Sequence, residues 1–246
     1  MIHTMRLKKT VLLLLTALPF CLFAQTRQAR KSSHYMELGM MLGATQYSGD
    51  LAERDLELSQ TEVGFGFFYR YHIHEQFFAK GQVYFGYISG DDANSPDLFE
   101  RKFNFFSPLW EVAAVLEWAP LAKERVTKTG INNFFLSPYL FAGIGGAFTR
   151  AEPEYYGSIA DADKYLKTPL PEEDIIRRSF FTFPMGAGIR YDYSERFVFG
   201  AEGGFRPVFS DKLDGISING NPDKNDWYYF VGITASFVIN QPYRPF

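Results

Sequence analysis

Beyond residue 24 the chain has no cysteine. Its one cysteine, Cys21, sits in the apolar opening stretch. That excludes a disulfide framework and a thiol nucleophile from the rest of the chain. Long apolar runs are also missing. The longest, "VLLLLTALPFCLFA" (11–24), is interrupted by Thr16 and Pro19 and falls short of the ~20 residues that a spanning helix needs. A basic excess is absent too, with 25 Lys+Arg against 28 Asp+Glu. Nucleic acid is therefore not an expected partner. Histidine is scarce, at four residues.

The opening itself reads as a secretory signal. Arg6, Lys8 and Lys9 form a basic start, the apolar run follows, and a small residue, Ala24, precedes the expected cut. A lipoprotein cut before Cys21 would place bulky Phe20 in a pocket made for small residues. We therefore read 1–24 as signal peptide, 25–33 as a periplasmic N-terminal segment and 34–246 as the folded domain. Loss of the three basic residues leaves 22 against 28 acidic ones, a net charge of −6.

What is abundant is aromatic: 18% of the residues, with 26 Phe. They recur with a period of two, the signal of strands. Eight such segments are expected, near 34–44, 62–72, 76–88, 105–118, 135–148, 179–192, 196–209 and 227–239. One face of each is bulky and apolar: Val63, Phe65, Phe67, Tyr69 and Tyr71 in the second, Trp110, Val112, Ala114, Leu116 and Trp118 in the fourth. The other face carries glycine, small residues and charges.

A soluble barrel would have to place the bulky face inside. An eight-stranded barrel has an interior just wide enough for side chains to fill, and five or six large residues per strand would overfill it. Turned outward, the same face meets lipid, and terminal Trp and Tyr form interfacial girdles. The expected fold class is all-β: an eight-stranded antiparallel up-and-down transmembrane β-barrel with a filled polar lumen. Loop lengths agree. With the N-terminus periplasmic, 45–61, 89–104, 149–178 and 210–226 are long outer loops, and 73–75 and 193–195 are tight turns. The exception is the long turn 119–134.

The glycine-bearing face defines a candidate lumen charge network: Glu37, Arg70, Lys80, Glu111, Glu117, Arg190, Glu202 and Arg206, with Gln82 and Asp192 beside them. Buried charges persist when paired and hydrogen-bonded. Glu202 is expected to meet Arg190 or Lys80, and Arg206 to meet Glu37 or Glu111. Such a lumen leaves no room for solute transport.

Other chemistry is thin. His72 and His74 share one face if their strand continues. With no cysteine or third histidine nearby they read as a polar turn, not a metal pair. "SGDDANSPD" (89–97) and "DKLDGISINGNPDKND" (211–226) lack calcium-loop spacing and read as turns. His34, His72 and His74 all fall at the inner rim, so no base serves an outer-leaflet enzyme. No catalytic residue, metal or cofactor is expected. Lys123, Arg125 and Lys128 make the long turn basic, and we take them as a candidate partner contact.

In order along the chain, "YMELGMMLGATQYSGDL" (35–51), "YRY" (69–71), "SGDD" (89–92), "SPYLFAGIGG" (137–146), "FPMGAGIRYDYSERF" (183–197) and "AEGGFRPVFSDKLDGIS" (201–217) resemble the PorG-like outer-membrane β-barrel family of Bacteroidota, which is associated with the type IX secretion system. The family's recurrent residues match Glu37, Gly39, Gly43, Tyr47, Gly49, Asp50, Arg70, Asp91, Asp92, Glu111, Pro138, Tyr139, Glu202, Arg206, Asp211 and Asp214. Lys212 and "RKFNFFS" (101–107) depart from its pattern. The resemblance implies a non-enzymatic, monomeric barrel in outer-membrane lipid that contacts a periplasmic secretion-ring lipoprotein or its partner and scaffolds the machinery. The alternative expectation is a surface adhesin or ligand-binding barrel that works through its outer loops, 149–178 above all.

Overall fold

The computed structural model describes residues 35–49, 60–74, 76–94, 98–122, 136–170, 178–194, 196–210, 213–216, 219 and 225–240. The signal peptide, the segment 25–33 and the basic residues Lys123, Arg125 and Lys128 lie outside the described residues.

The period-two segments form strands β1 (Met36–Ser48), β2 (Thr61–His74), β3 (Phe77–Asp91), β4 (Phe103–Trp118), β5 (Leu136–Thr149), β6 (Glu152–Tyr155), β7 (Arg178–Thr182), β8 (Met185–Asp192), β9 (Phe197–Pro207) and β10 (Trp227–Asn240), with one α-helix among the described residues, α1 (Ile159–Tyr165), and a 3-10 turn at Asp92–Asn94. Successive staves of the sheet pair antiparallel, and β10 returns to β1, with Gly43 opposite Gly232. The sheet is closed and has eight staves. β7 and β8 are two halves of one stave, because both pair with β5, through Thr182 to Gly145 and Met185 to Ala142. They part at Phe183–Pro184, where Pro184 has no N–H to give the ladder. β6 prolongs β5 beyond Arg150 and pairs with β4 alone among the described residues.

The alternation sorts side chains by face. In β2, Val63, Phe65 and Phe67 are more than half exposed, whereas Phe68 and Arg70 are 2% and 3% exposed. The three tryptophans of the chain, Trp110, Trp118 and Trp227, all point outward. The exterior is thus a continuous apolar belt.

Three expectations need correction. The lumen holds large rings as well as glycine and charges: Phe68, Tyr84, Tyr139, Phe141, Tyr228 and Phe230 are buried within it. Glycines on neighbouring strands give them room. A Cβ on Gly39 would lie 2.3 Å from Phe68, its cross-strand partner, and one on Gly188 would lie 2.4 Å from Tyr139. Second, His72 and His74 do not share a face. A register shift falls between them. His72 turns in and stacks on Tyr35 at 4.4 Å, while His74 is exposed. Such a bulge re-aims the side chains that follow it. Third, the expected outer loops begin too early. β1 runs to Ser48 and β3 to Asp91, and 149–178 contains β6 and α1. The apolar pattern stops where the apolar belt stops, but backbone pairing continues.

Candidate functional site

All eight network residues are buried, none more than 5% exposed. They come from β1, β2, β3, β4, β8 and β9. Glu37 on β1 accepts from Arg70 Nη1 at 2.9 Å, from Ser236 Oγ at 2.9 Å and from Arg190 Nη2. Arg70 turns its other edge to Glu117, with Nε at 2.8 Å and Nη2 at 3.1 Å from the two carboxylate oxygens. Of these two contacts only the one from Nη2 is a hydrogen bond; Nε is held close by charge. Lys80 Nζ continues the line, 3.2 Å from Glu117 and 2.8 Å from Glu202. Tyr139 donates to Glu202 at 2.7 Å. At the other end of this line Arg190 meets Asp192 at 3.2 Å.

A second group lies nearer the loop end. Arg206 Nε donates to Glu111 at 2.8 Å, Gln82 Nε2 donates to the same carboxylate at 2.9 Å, and Tyr228 donates its hydroxyl proton to it. Glu202 therefore takes Lys80, and Arg206 takes Glu111. Arg190 and Glu37, the other two candidates, pair with each other.

Each of the four cations also faces an aromatic ring. Arg70 lies 4.8 Å from the centroid of Phe68, Lys80 5.4 Å from Phe141, Arg190 4.9 Å from Phe78 and Arg206 4.9 Å from Phe230. A ring face attracts a cation most when both are desolvated. Four cations meet four Glu carboxylates, so the eight-residue network is electrically balanced. The alternation puts Phe68 on the glycine-bearing face of the second strand; the other rings and the hydroxyls of Tyr139, Tyr228 and Ser236 were missed. The period-two phase of β10, with Phe237 and Tyr229 outward, puts Ser236 and Tyr228 inward and is the available signal.

Apolar clusters close both ends of this interior. Tyr35, Phe78, Val198 and Val238 lie at the turn end. Ile88, Phe103, Leu213 and Ile216 lie at the loop end, with Tyr165, Leu166 and Leu170 packed on them. The loop end carries further polar ties. Tyr47 Oη lies 2.7 Å from Asp214 and 2.8 Å from Asp226, both fully buried. Asn219 Oδ1 accepts from Lys167 N at 2.7 Å and Thr168 N at 3.1 Å, and so fastens 166–168 to the last loop. Asp92 accepts from Arg101 at 2.8 Å and from Phe103 N at 3.1 Å, yet burial still pushes its carboxyl above the ordinary range. Burial and the hydrogen bond to Asp91 push the Tyr156 phenol up to about 12.

Among the described residues no three His, Cys, Asp or Glu side chains are grouped so as to hold a metal ion, and no helix is long and apolar enough to cross a membrane. At the turn end, the start of the long connection is tied to the β2–β3 turn. Gln76 Nε2 donates to Pro120 O at 2.9 Å, and Ala119 N donates to Gln76 O at 2.8 Å.

These features define a closed eight-stranded β-barrel with an apolar outside and a lumen packed with paired charges. Its sequence belongs to the family described as "Domain of unknown function (DUF6089)", whose model matches residues 14–243. No curated protein matches it. Among solved structures it is similar to Ail, the attachment invasion locus protein of Yersinia pestis, in complex with the heparin analogue sucrose octasulfate, at 16% identity and a TM-score of 0.43, covering 84% of this chain and 99% of that one. It is also similar to Neisserial surface protein A, at 13% identity and a TM-score of 0.42, covering 82% and 96%. A major outer membrane protein from Thermus thermophilus gives 10% identity and a TM-score of 0.44, covering 83% and 99%.

Proposed function

We propose that the protein is a non-enzymatic barrel of the outer membrane that anchors or scaffolds type IX secretion machinery through its turn end, which faces the periplasm with both chain termini. The sealed lumen carries this reading. Side chains 0–5% exposed line it, so water has no path along them, and the barrel acts through its ends. The apolar belt supports residence in lipid. The basic long turn, with Lys123, Arg125 and Lys128, and the sequence blocks shared with the PorG-like family support a periplasmic partner: a secretion-ring lipoprotein or its companion. No histidine falls at the loop end, which supports a role without catalysis. The test is deletion of 123–130 in a barrel that still assembles. Recovery of the ring with the barrel and secretion should both be lost. Unchanged recovery and secretion would remove that turn as the contact.

One observation favours a second reading, a surface adhesin or ligand-binding barrel. The 150–170 segment is folded as β6 and α1, and Asn219 holds its end. Trimming the outer loops would then abolish binding and leave secretion intact.

A further inference from the structure

The lumen layer around Glu111 gathers three polar side chains about one ring. Tyr84 on β3 is the direct cross-strand partner of Glu111, and its ring packs edge-on against Phe230 at 5.1 Å. Arg206 gives Nε to Glu111 and lies 4.9 Å from the same Phe230 ring. Thr45 on β1 is the cross-strand partner of Phe230. Tyr84, Arg206 and Thr45 are all buried.

Their hydrogen bonds do not close. Tyr84 Oη and Arg206 Nη1 are buried atoms, and among the described residues neither has a hydrogen-bond partner. Thr45 faces the Tyr84 hydroxyl, but the Thr45 proton goes to Tyr87 O at 2.7 Å. The two hydroxyls do not meet in hydrogen-bonding geometry. Thr45 Oγ1 therefore keeps lone pairs to offer. A buried donor without an acceptor costs stability, and buried polar groups in folded proteins are nearly always satisfied. Glycines keep the hydroxyl's place open. A Cβ on Gly64 would lie 1.9 Å from Tyr84 Oη, and one on Gly86 would lie 2.8 Å from it.

Two donors and one acceptor thus seek a common partner. A metal cation would face the Arg206 guanidinium and two hydrogens. An anion would lie beside the Glu111 carboxylate. A small neutral group that both accepts and donates suits the set, and water is that group. A buried water makes about three hydrogen bonds, which is the number on offer.

We infer that a buried water molecule bridges these side chains, accepting from Tyr84 Oη and Arg206 Nη1 and donating to Thr45 Oγ1. It ties the Glu111 group to β1. The apolar clusters at both ends hold it in, so it is a fixed part of the lumen and not a step in a channel. The inference concerns the interior and does not depend on the scaffold reading.

Two measurements on the full mature chain test it. A crystal structure that resolves buried waters elsewhere should show one bonded to all three atoms, and a bromide soak should leave no anomalous peak there. Urea unfolding in lipid vesicles supplies the second. Tyr84→Phe keeps the ring and removes the donor. If water takes that proton, the folding constant falls about fivefold, whereas removal of an unanswered hydroxyl would raise it. The water also couples two hydroxyls that do not bond each other. Thr45→Val should therefore cost less in the Tyr84→Phe background than in the natural chain. A Tyr84→Phe barrel at least as stable as the natural chain overturns the proposal, as do strictly additive effects of the two substitutions. An empty or bromide-filled site in the crystal overturns it whether or not the variants fold.

Discussion

Tyr139 and Glu202 are hydrogen-bonded at 2.7 Å although their strands do not touch. Tyr139 is on β5 and Glu202 on β9, and Gly188 of β8 lies between them, paired with both. The tyrosine ring lies over the glycine and spans the gap. The same carboxylate holds Lys80 from the far wall. One absent side chain thus lets two present ones meet.

Gly188→Val should break this relation. The added carbons occupy the ring's place, and Tyr139 must leave Glu202. A loss of about 2–4 kcal/mol is expected from overpacking plus the lost hydrogen bond. Tyr139→Phe, which keeps the ring, should lose about 1–1.5 kcal/mol. Urea unfolding in lipid vesicles, read by the shift between folded and unfolded gel bands, would separate the two. Equal losses would mean that the glycine is not there for the ring.

Arg206→Met should be more costly than the pair is worth. It strands Glu111 in the lumen, and breaking a buried pair costs about 3–5 kcal/mol. Adding Glu111→Gln removes the stranded charge and should restore much of the loss. The same unfolding assay decides. A double variant as weak as the single one would show that packing by Arg206, not charge balance, is what matters.

The three tryptophans offer a test of how the barrel sits in lipid. Trp110, Trp118 and Trp227 all face outward. Single-tryptophan variants in vesicles of brominated lipid should each be quenched. Trp118 and Trp227, at opposite strand ends, should respond most to bromines near the headgroups. Red-shifted, unquenched emission from all three would contradict an apolar belt in lipid.

Asp92 sets a pH dependence at the loop end. Burial raises its folded pKa above the ordinary value of 3.8. A raised pKa means that the folded state holds the proton more tightly. The stabilisation is complete below 3.8 and is lost as pH rises through the folded value. Asp92→Asn cannot lose it. The variant's stability relative to the natural chain should therefore grow as pH rises across that window, measured by unfolding at a series of pH values. A constant difference would refute the burial effect.

The strands were legible because lipid demands bulk on every second residue. Val63, Phe65 and Phe67 announce a face whatever the fold around them. The same phase marks Glu202 and Arg206 as inward. Which partner each meets was not legible, because Lys80 reaches Glu202 from β3, across the lumen, and that depends on the stagger of the closed sheet. The lumen rings were hidden for another reason. Tyr139 looks like a lipid-facing residue out of phase until its cross-strand glycine is known; Phe68 falls in phase with Gly66 and Arg70. The break at Pro184 and the bulge after His72 are events of backbone pairing, and the hydrophobic pattern does not record pairing.

The charge network also bears on how the barrel comes to be. Its ties join early strands to late ones: Glu37 to Arg190, Lys80 to Glu202 and Glu111 to Arg206. A chain inserted only through β4 would hold Arg70 and Lys80 against Glu37, Glu111 and Glu117, two cations against three anions. That surplus would face a half-open groove in the bilayer, where an uncompensated charge is expensive. Arg190 on β8 cancels it, and Glu202 and Arg206 on β9 then add a balanced pair. The lumen charge therefore disfavours a form that stops at β4 or β5 relative to one that carries β8 and β9.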